Sequence, residues 1–164
     1  MRLTSFTDYT LRTLIYLALR PDQLATIAGI ADAYGISANH LMKVVHRLAV
    51  AGHITTVRGQ HGGLRLAKPA SAINIGEVVR RTEPDMALVA CFDDTQRCVI
   101  QDGCVLQHAL TDALAAFLAV LDRYTLADLV APRHSLAEAL GMPADGSAQS
   151  ADGGRPVPGT MSSA

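Results

Sequence analysis

Apolar residues near the N-terminus recur at helical spacing. Leu11, Leu14, Ile15 and Ala18 stand at i, i+3, i+4 and i+7, one stripe on a helix over residues 5–20 with Thr4 as N-cap and Pro21 as stop. A second helix runs from about Thr26 to Tyr34 with Ile27, Ile30 and Ala31 inward. Gly35 supplies a turn, Ile36 an apolar plug and Ser37 the N-cap of a third helix. There Leu41, Val44, Val45 and Leu48 repeat the inward stripe and Gly52 is placed just past the end. Two short helices about a tight glycine-containing turn make a helix-turn-helix.

The period then changes. His53–Val57 reads as a strand, residues 58–63 as a turn with three glycines, and Leu64–Ala67 as the returning strand. A helix-turn-helix followed by a basic hairpin is the winged-helix arrangement. Asn74 to Glu77 forms a capping-box pattern opening a short helix through Arg81, ended by Pro84. From Cys104 to Tyr124 a long helix follows, with Leu106, Leu110, Ala113, Phe117, Leu121 and Tyr124 on one face and Ala109, Leu114 and Leu118 on another. A core helix and a helix paired with its own copy fit this pattern equally. Thr125 with Asp128 caps one more turn, Leu126 to Val130. The expected fold is mainly α with a small β-hairpin. Residues 1–83 form a winged helix-turn-helix DNA-binding domain, and residues 84–131 the cysteine loop and long helix. Residues 132–164 form a mostly disordered tail, with a brief helix near Leu136–Leu140.

Charge adds a polarity that the total conceals. The net charge of the 164 residues is −1, yet residues 1–82 carry ten basic and four acidic side chains and residues 83–164 carry four and eleven. A +6 half beside a −7 half points to nucleic acid for the basic one. No apolar run reaches the ~18 residues that span a bilayer, so no membrane is expected. The absence of a secretory-type start and the three cysteines crowded into residues 91–104 place the chain in the reducing cytoplasm.

Three places carry chemistry. The outward face of the third helix presents Ala38, Asn39, His40, Lys43, His46 and Arg47 behind Ser37. Asn suits bidentate contact with adenine, and Lys and Arg suit guanine or phosphate. Arg58, Gln60, His61 and Arg65 surround the wing glycines, a narrow basic loop suited to a minor groove. Cys91, Cys98 and Cys104 follow C-x6-C-x5-C, which lacks the CxxC pairs of zinc ribbons. Three soft thiolates at a helix N-terminus suit iron–sulfur, zinc or Cu(I). His108, one turn after Cys104, keeps a Cys3His zinc site open, hence a zinc- or thiol-based redox regulator of DNA binding. A cluster carrier that moves electrons is a further reading. No GxSxG, HExxH or Walker pattern occurs, and the chain is not expected to be an enzyme.

The chain resembles the Rrf2 family of winged-helix repressors and, within it, the nitric-oxide-sensing iron–sulfur branch. The resemblance rests on Met1-Arg2-Leu3-Thr4-Ser5-Phe6-Thr7-Asp8-Tyr9, Tyr34-Gly35-Ile36-Ser37-Ala38-Asn39-His40, Arg58-Gly59-Gln60-His61-Gly62-Gly63, Ile75-Gly76-Glu77-Val78-Val79, the three cysteines and Tyr124-Thr125-Leu126-Ala127-Asp128. It covers residues 1–131. It implies a homodimer joined through the long helix, bound to double-stranded operator DNA. It also implies an iron–sulfur cluster, 4Fe–4S ahead of 2Fe–2S, on Cys91, Cys98 and Cys104, with Asp8 of the partner subunit as fourth ligand. Nitric oxide, by nitrosylating or removing the cluster, would release the DNA. Read without the resemblance, Asp8 is equally a first-turn acid interacting with the helix dipole.

Overall fold

The computed structural model describes residues 2–89, 92, 98–100 and 103–142. Seven α-helices and one hairpin occur among them: α1 Ser5–Ala18, α2 Ile27–Tyr34, α3 Ala38–Val50, β1 Ile54–Val57, β2 Gly63–Leu66, α4 Ile75–Thr82, α5 Val105–Asp122, α6 Leu126–Leu129 and α7 Arg133–Ala139. Mainly α with a small hairpin is the observed class.

Thr4 caps α1, its Oγ1 accepting from Thr7 N at 3.3 Å. The buried face differs from the expected stripe: Leu14, Leu17 and Ala18 are buried, Leu11 and Ile15 only partly, and Thr7, Thr10 and Thr13 are fully buried. Threonine enters a core when its hydroxyl is satisfied. Thr10 and Thr13 donate back to Phe6 O and Tyr9 O at 2.8 and 2.7 Å, and Thr7 donates to Thr82 Oγ1 at 3.0 Å. The helix is therefore covered on more than one side, by α3, α4 and α6.

Gly35, at φ 63°, makes the turn between α2 and α3 in a conformation that costs other residues energy. Ile36 plugs the core behind it. Ser37 occupies the N-cap position, but its side chain makes no capping bond. The hairpin is antiparallel, pairing Ile54 with Leu66 through Val57 with Gly63. Ala25, ahead of α2, bridges Leu64 (N to O 2.9 Å, and 2.7 Å in return), which ties the wing to the helix-turn-helix.

Asn74 caps α4 by accepting from Glu77 N at 3.0 Å. The reciprocal half of the expected box is missing, because the Glu77 carboxylate turns to Arg81 at 2.8 Å. The end of α5 is clamped to the start of α4. Arg80 grips Asp122 with two bonds of 2.6 and 2.5 Å, Asn74 Nδ2 donates to Asp122 O at 2.7 Å, and Ile75 N donates to Tyr124 O at 3.0 Å. Gly76 makes room for this: a Cβ there would stand 2.9 Å from Asp122 Cγ. The Thr125–Asp128 capping box forms as expected, with Thr125 N to Asp128 Oδ2 at 2.7 Å. It drives Leu126, 0 % exposed, into the core of the winged helix.

Helix α5 differs in kind. None of its residues is buried, and Val105 and Leu106 are 79 % and 64 % exposed. With 18 residues and a mean hydropathy of 1.4 it is long and apolar enough to cross a membrane by length and composition. The sequence reading found no such run because Gln107, His108, Thr111 and Asp112 interrupt it. Helix α7 begins at Arg133, earlier than expected, and Arg133 donates to Leu19 O at 2.6 Å at the C-terminal end of α1. The remainder of the expected tail, residues 143–164, lies outside the described residues.

Candidate nucleic-acid interface and cysteine site

Helix α3 is split into two faces. Leu41, Val44, Val45 and Leu48 are at most 7 % exposed and lock it onto the core. On the other side Ala38, Asn39, His40, Lys43 and Arg47, with Ser37 ahead of them, are all exposed. Asn39, Lys43 and Arg47 follow at intervals of four and share one helical face. The Tyr9 ring of α1 sits 6.1 Å from the His40 ring and orients the start of α3. On the wing Arg58, Gln60, His61 and Arg65 are exposed. Arg65 reaches across the hairpin to Thr55 Oγ1 at 3.4 Å, held by their register. Among the described residues no carboxylate pairs with Lys43, Arg47, Arg58 or Arg65. These cations are available to phosphate.

The cysteine site is partly in view. Cys98 is exposed, Cys104 is half-buried at the N-cap of α5, and both are free thiols. The N-terminal end of a helix favours thiolate, and thiolate is the form that binds iron. Cys91 lies outside the described residues. Among the described residues no three metal-ligating side chains converge. His108 is exposed on α5 one turn beyond Cys104. Asp8, in the first turn of α1, is 2.9 Å from Arg12 Nε. The Arg12 guanidinium lies 5.7 Å over the ring of Tyr34, the last residue of α2. Burial pushes the Tyr34 hydroxyl up to about 12, with Arg12 pulling the other way. The start of α1 is also tied to the end of α4: Thr4 N donates to Glu83 Oε1 at 2.8 Å. Asp8 thus sits on a helix that touches the helix-turn-helix at one side and the chain leading to the cysteines at another. Arg12 and Glu83, with Tyr34, carry these ties, and spacing along the chain does not mark them, since each acts through a partner in space.

A family model described as "Rrf2: Iron-dependent Transcriptional regulator" matches residues 3–132. The chain belongs to the Rrf2 family. This Rrf2 protein is 52 % identical over 144 residues to the HTH-type transcriptional regulator NsrR of Bacillus subtilis (strain 168), covering 87 % of this chain and 99 % of that one. It is 52 % identical over 132 residues to the NsrR of Shouchella clausii (strain KSM-K16), covering 79 % and 89 %. Among solved structures it is similar to CymR, the global cysteine regulator of B. subtilis, with a TM-score of 0.66 and 25 % identity, covering 80 % of this chain and 98 % of that one. The Rrf2 chain is accordingly a DNA-binding transcriptional regulator of winged-helix fold and not an enzyme. The soft donor set suits the iron in the family's description: two free thiols, one at a helix N-terminus.

Proposed function

We propose that this regulator is a homodimeric repressor that carries an iron–sulfur cluster and leaves its operator in the presence of nitric oxide. Cys91, Cys98 and Cys104 would hold the cluster, with Asp8 of the partner subunit as the fourth ligand, and 4Fe–4S is favoured over 2Fe–2S. When bound, the cluster supplies iron with which nitric oxide reacts. The protein supplies the rest. The uncovered apolar side chains of α5, Val105, Leu106 and Val120 among them, pair with a second copy and space the two winged helices. Each α3 enters a major groove, where Asn39 contacts adenine and Lys43 and Arg47 contact guanine or backbone; Ser37, Ala38 and His40 line its leading end. Arg58, Gln60, His61 and Arg65 follow the adjacent minor groove. Asp8 joins the two functions: its carboxylate holds Arg12, which rests on Tyr34 beside the helix-turn-helix turn. A carboxylate drawn off to a metal leaves that guanidinium without its partner.

The observation that carries this reading is the match to NsrR across 99 % of its length in a chain that places unpaired cations and free thiols in separate regions. The test uses full-length protein purified without oxygen. Iron and acid-labile sulfide are measured first, then nitric oxide is titrated while visible absorption and affinity for a duplex selected from a random pool are followed together. Loss of absorption with unchanged DNA affinity would refute it. Cys98→Ser and Cys104→Ser are each expected to lose most of the iron. Zinc without sulfide would favour the second reading, a Cys3His site using His108.

A further inference from the structure

Between the last turn of α3, the start of β1 and the flank of α4 lies a cavity of about 280 Å³, lined among others by Thr10, Arg47, His53, Val78, Arg81 and Thr82. Its charge is one-sided. Two arginines are among its lining residues and no acidic residue is. Arg47 makes no ion pair with any described residue, while Arg81 gives one nitrogen to Glu77 at 2.8 Å and keeps its other donors. His53, only 3 % exposed, is also among the lining residues, and its Nδ1 is closed off from solvent without a hydrogen-bond partner among the described residues. Buried ring nitrogens are ordinarily paired, and leaving one bare is costly. Burial chiefly lowers the pKa of this ring, Lys68 lowers it further, Glu77 raises it and Arg81 lowers it. The hydroxyls offer little competition, since Thr10 and Thr82 already donate to backbone carbonyls.

We propose that this cavity binds a phosphate-type oxyanion, held by Arg47 and Arg81. The planar donor fork of arginine matches the oxyanion edge, and two such forks form a donor-only pair. The oxyanion can be free in solution or belong to a DNA backbone. The first source is independent of the repressor reading and the second rests on it. Arg47 stands on the DNA-facing helix, so the site adjoins the proposed interface.

Full-length protein is titrated with inorganic phosphate at constant ionic strength, by calorimetry, alongside Arg81→Gln, Arg81→Lys and Glu77→Gln. Saturable binding of one phosphate per chain is expected, about tenfold or more weaker in Arg81→Gln. Partial recovery is expected in Arg81→Lys, and tighter binding in Glu77→Gln, where Arg81 is released from its carboxylate. A merely structural Arg81 would not produce the gain in Glu77→Gln. If free phosphate does not bind, the salt dependence of binding to a random-sequence duplex decides. A slope reduced by about 0.9 per protomer in Arg81→Gln assigns the oxyanion to the DNA backbone. No saturable phosphate binding together with an unchanged slope overturns the proposal. Wild-type binding to the same duplex tests the DNA-binding reading separately.

Discussion

Arg58→Gln at the wing removes one exposed cation and leaves the packing intact, because Arg58 belongs to the turn between β1 and β2 and makes no ion pair among the described residues. Lys43, Arg47, Arg58 and Arg65 are exposed on α3 and the wing and pair with no carboxylate among the described residues. Two copies in the proposed dimer can neutralise about eight phosphates, for a slope of log K against log salt of about −7. Affinity then falls about 10⁴-fold between 50 and 200 mM salt. Removing both copies of Arg58 leaves about six contacts, a slope near −5.4 and a fall of about 10³-fold over the same interval. Fluorescence anisotropy with a labelled duplex at four or five salt concentrations measures both slopes. A slope for Arg58→Gln equal to that of the wild type would show that Arg58 does not touch the backbone, and its proposed groove contact would fail.

Leu126→Ala empties a fully buried site between α1 and the Ala70–Ala72 turn. It is expected to cost about 2–5 kcal/mol in urea unfolding at fixed protein concentration, with Leu126→Met costing under about 1.5 kcal/mol. Gly76→Ala places a methyl 2.9 Å from Asp122 Cγ and 3.1 Å from Arg80 Nη1; amide exchange at Tyr124–Leu126 should quicken, and unaltered protection there would count against the clamp. His53 is held neutral, below the ordinary histidine value of 6.5, chiefly by burial. The unfolded chain therefore binds the proton more readily, and stability is full above pH 6.5 and declines as pH falls below it. His53→Gln should flatten that acid limb in unfolding experiments at a series of pH values.

The helix-turn-helix was legible because its information is local: Leu41, Val44, Val45 and Leu48 repeat with the period of the helix they form, and the outward side chains of α3 follow from the same spacing. The wing and the Thr125–Asp128 box were legible for the same reason. What escaped depends on distant pairing. Thr7, Thr10 and Thr13 look like a polar face until α4 and the backbone of α1 satisfy their hydroxyls. Arg80 finds Asp122 across 42 positions, and Arg133 finds the end of α1 across more than a hundred. The site divided along the same line. Exposed cations could be read from periodicity, whereas Arg12 on Tyr34, and the cavity of Arg47, His53 and Arg81, exist only after α1, α2, α3, β1 and α4 have met.

The grip of Arg80 on Asp122 also fixes a fulcrum. Helix α5 is 18 residues long, hence about 27 Å, pinned at its C-terminal end and carrying Cys104 at the opposite tip. On such an arm a 2 Å shift of Cys104 corresponds to a tilt of only about 4° at the pivot. Under the proposed function, a displacement of Cys104 by ångströms would reach the winged helix as a small angle. The contacts of Arg80, Asn74 and Ile75 with the end of α5 are where that angle would be taken up.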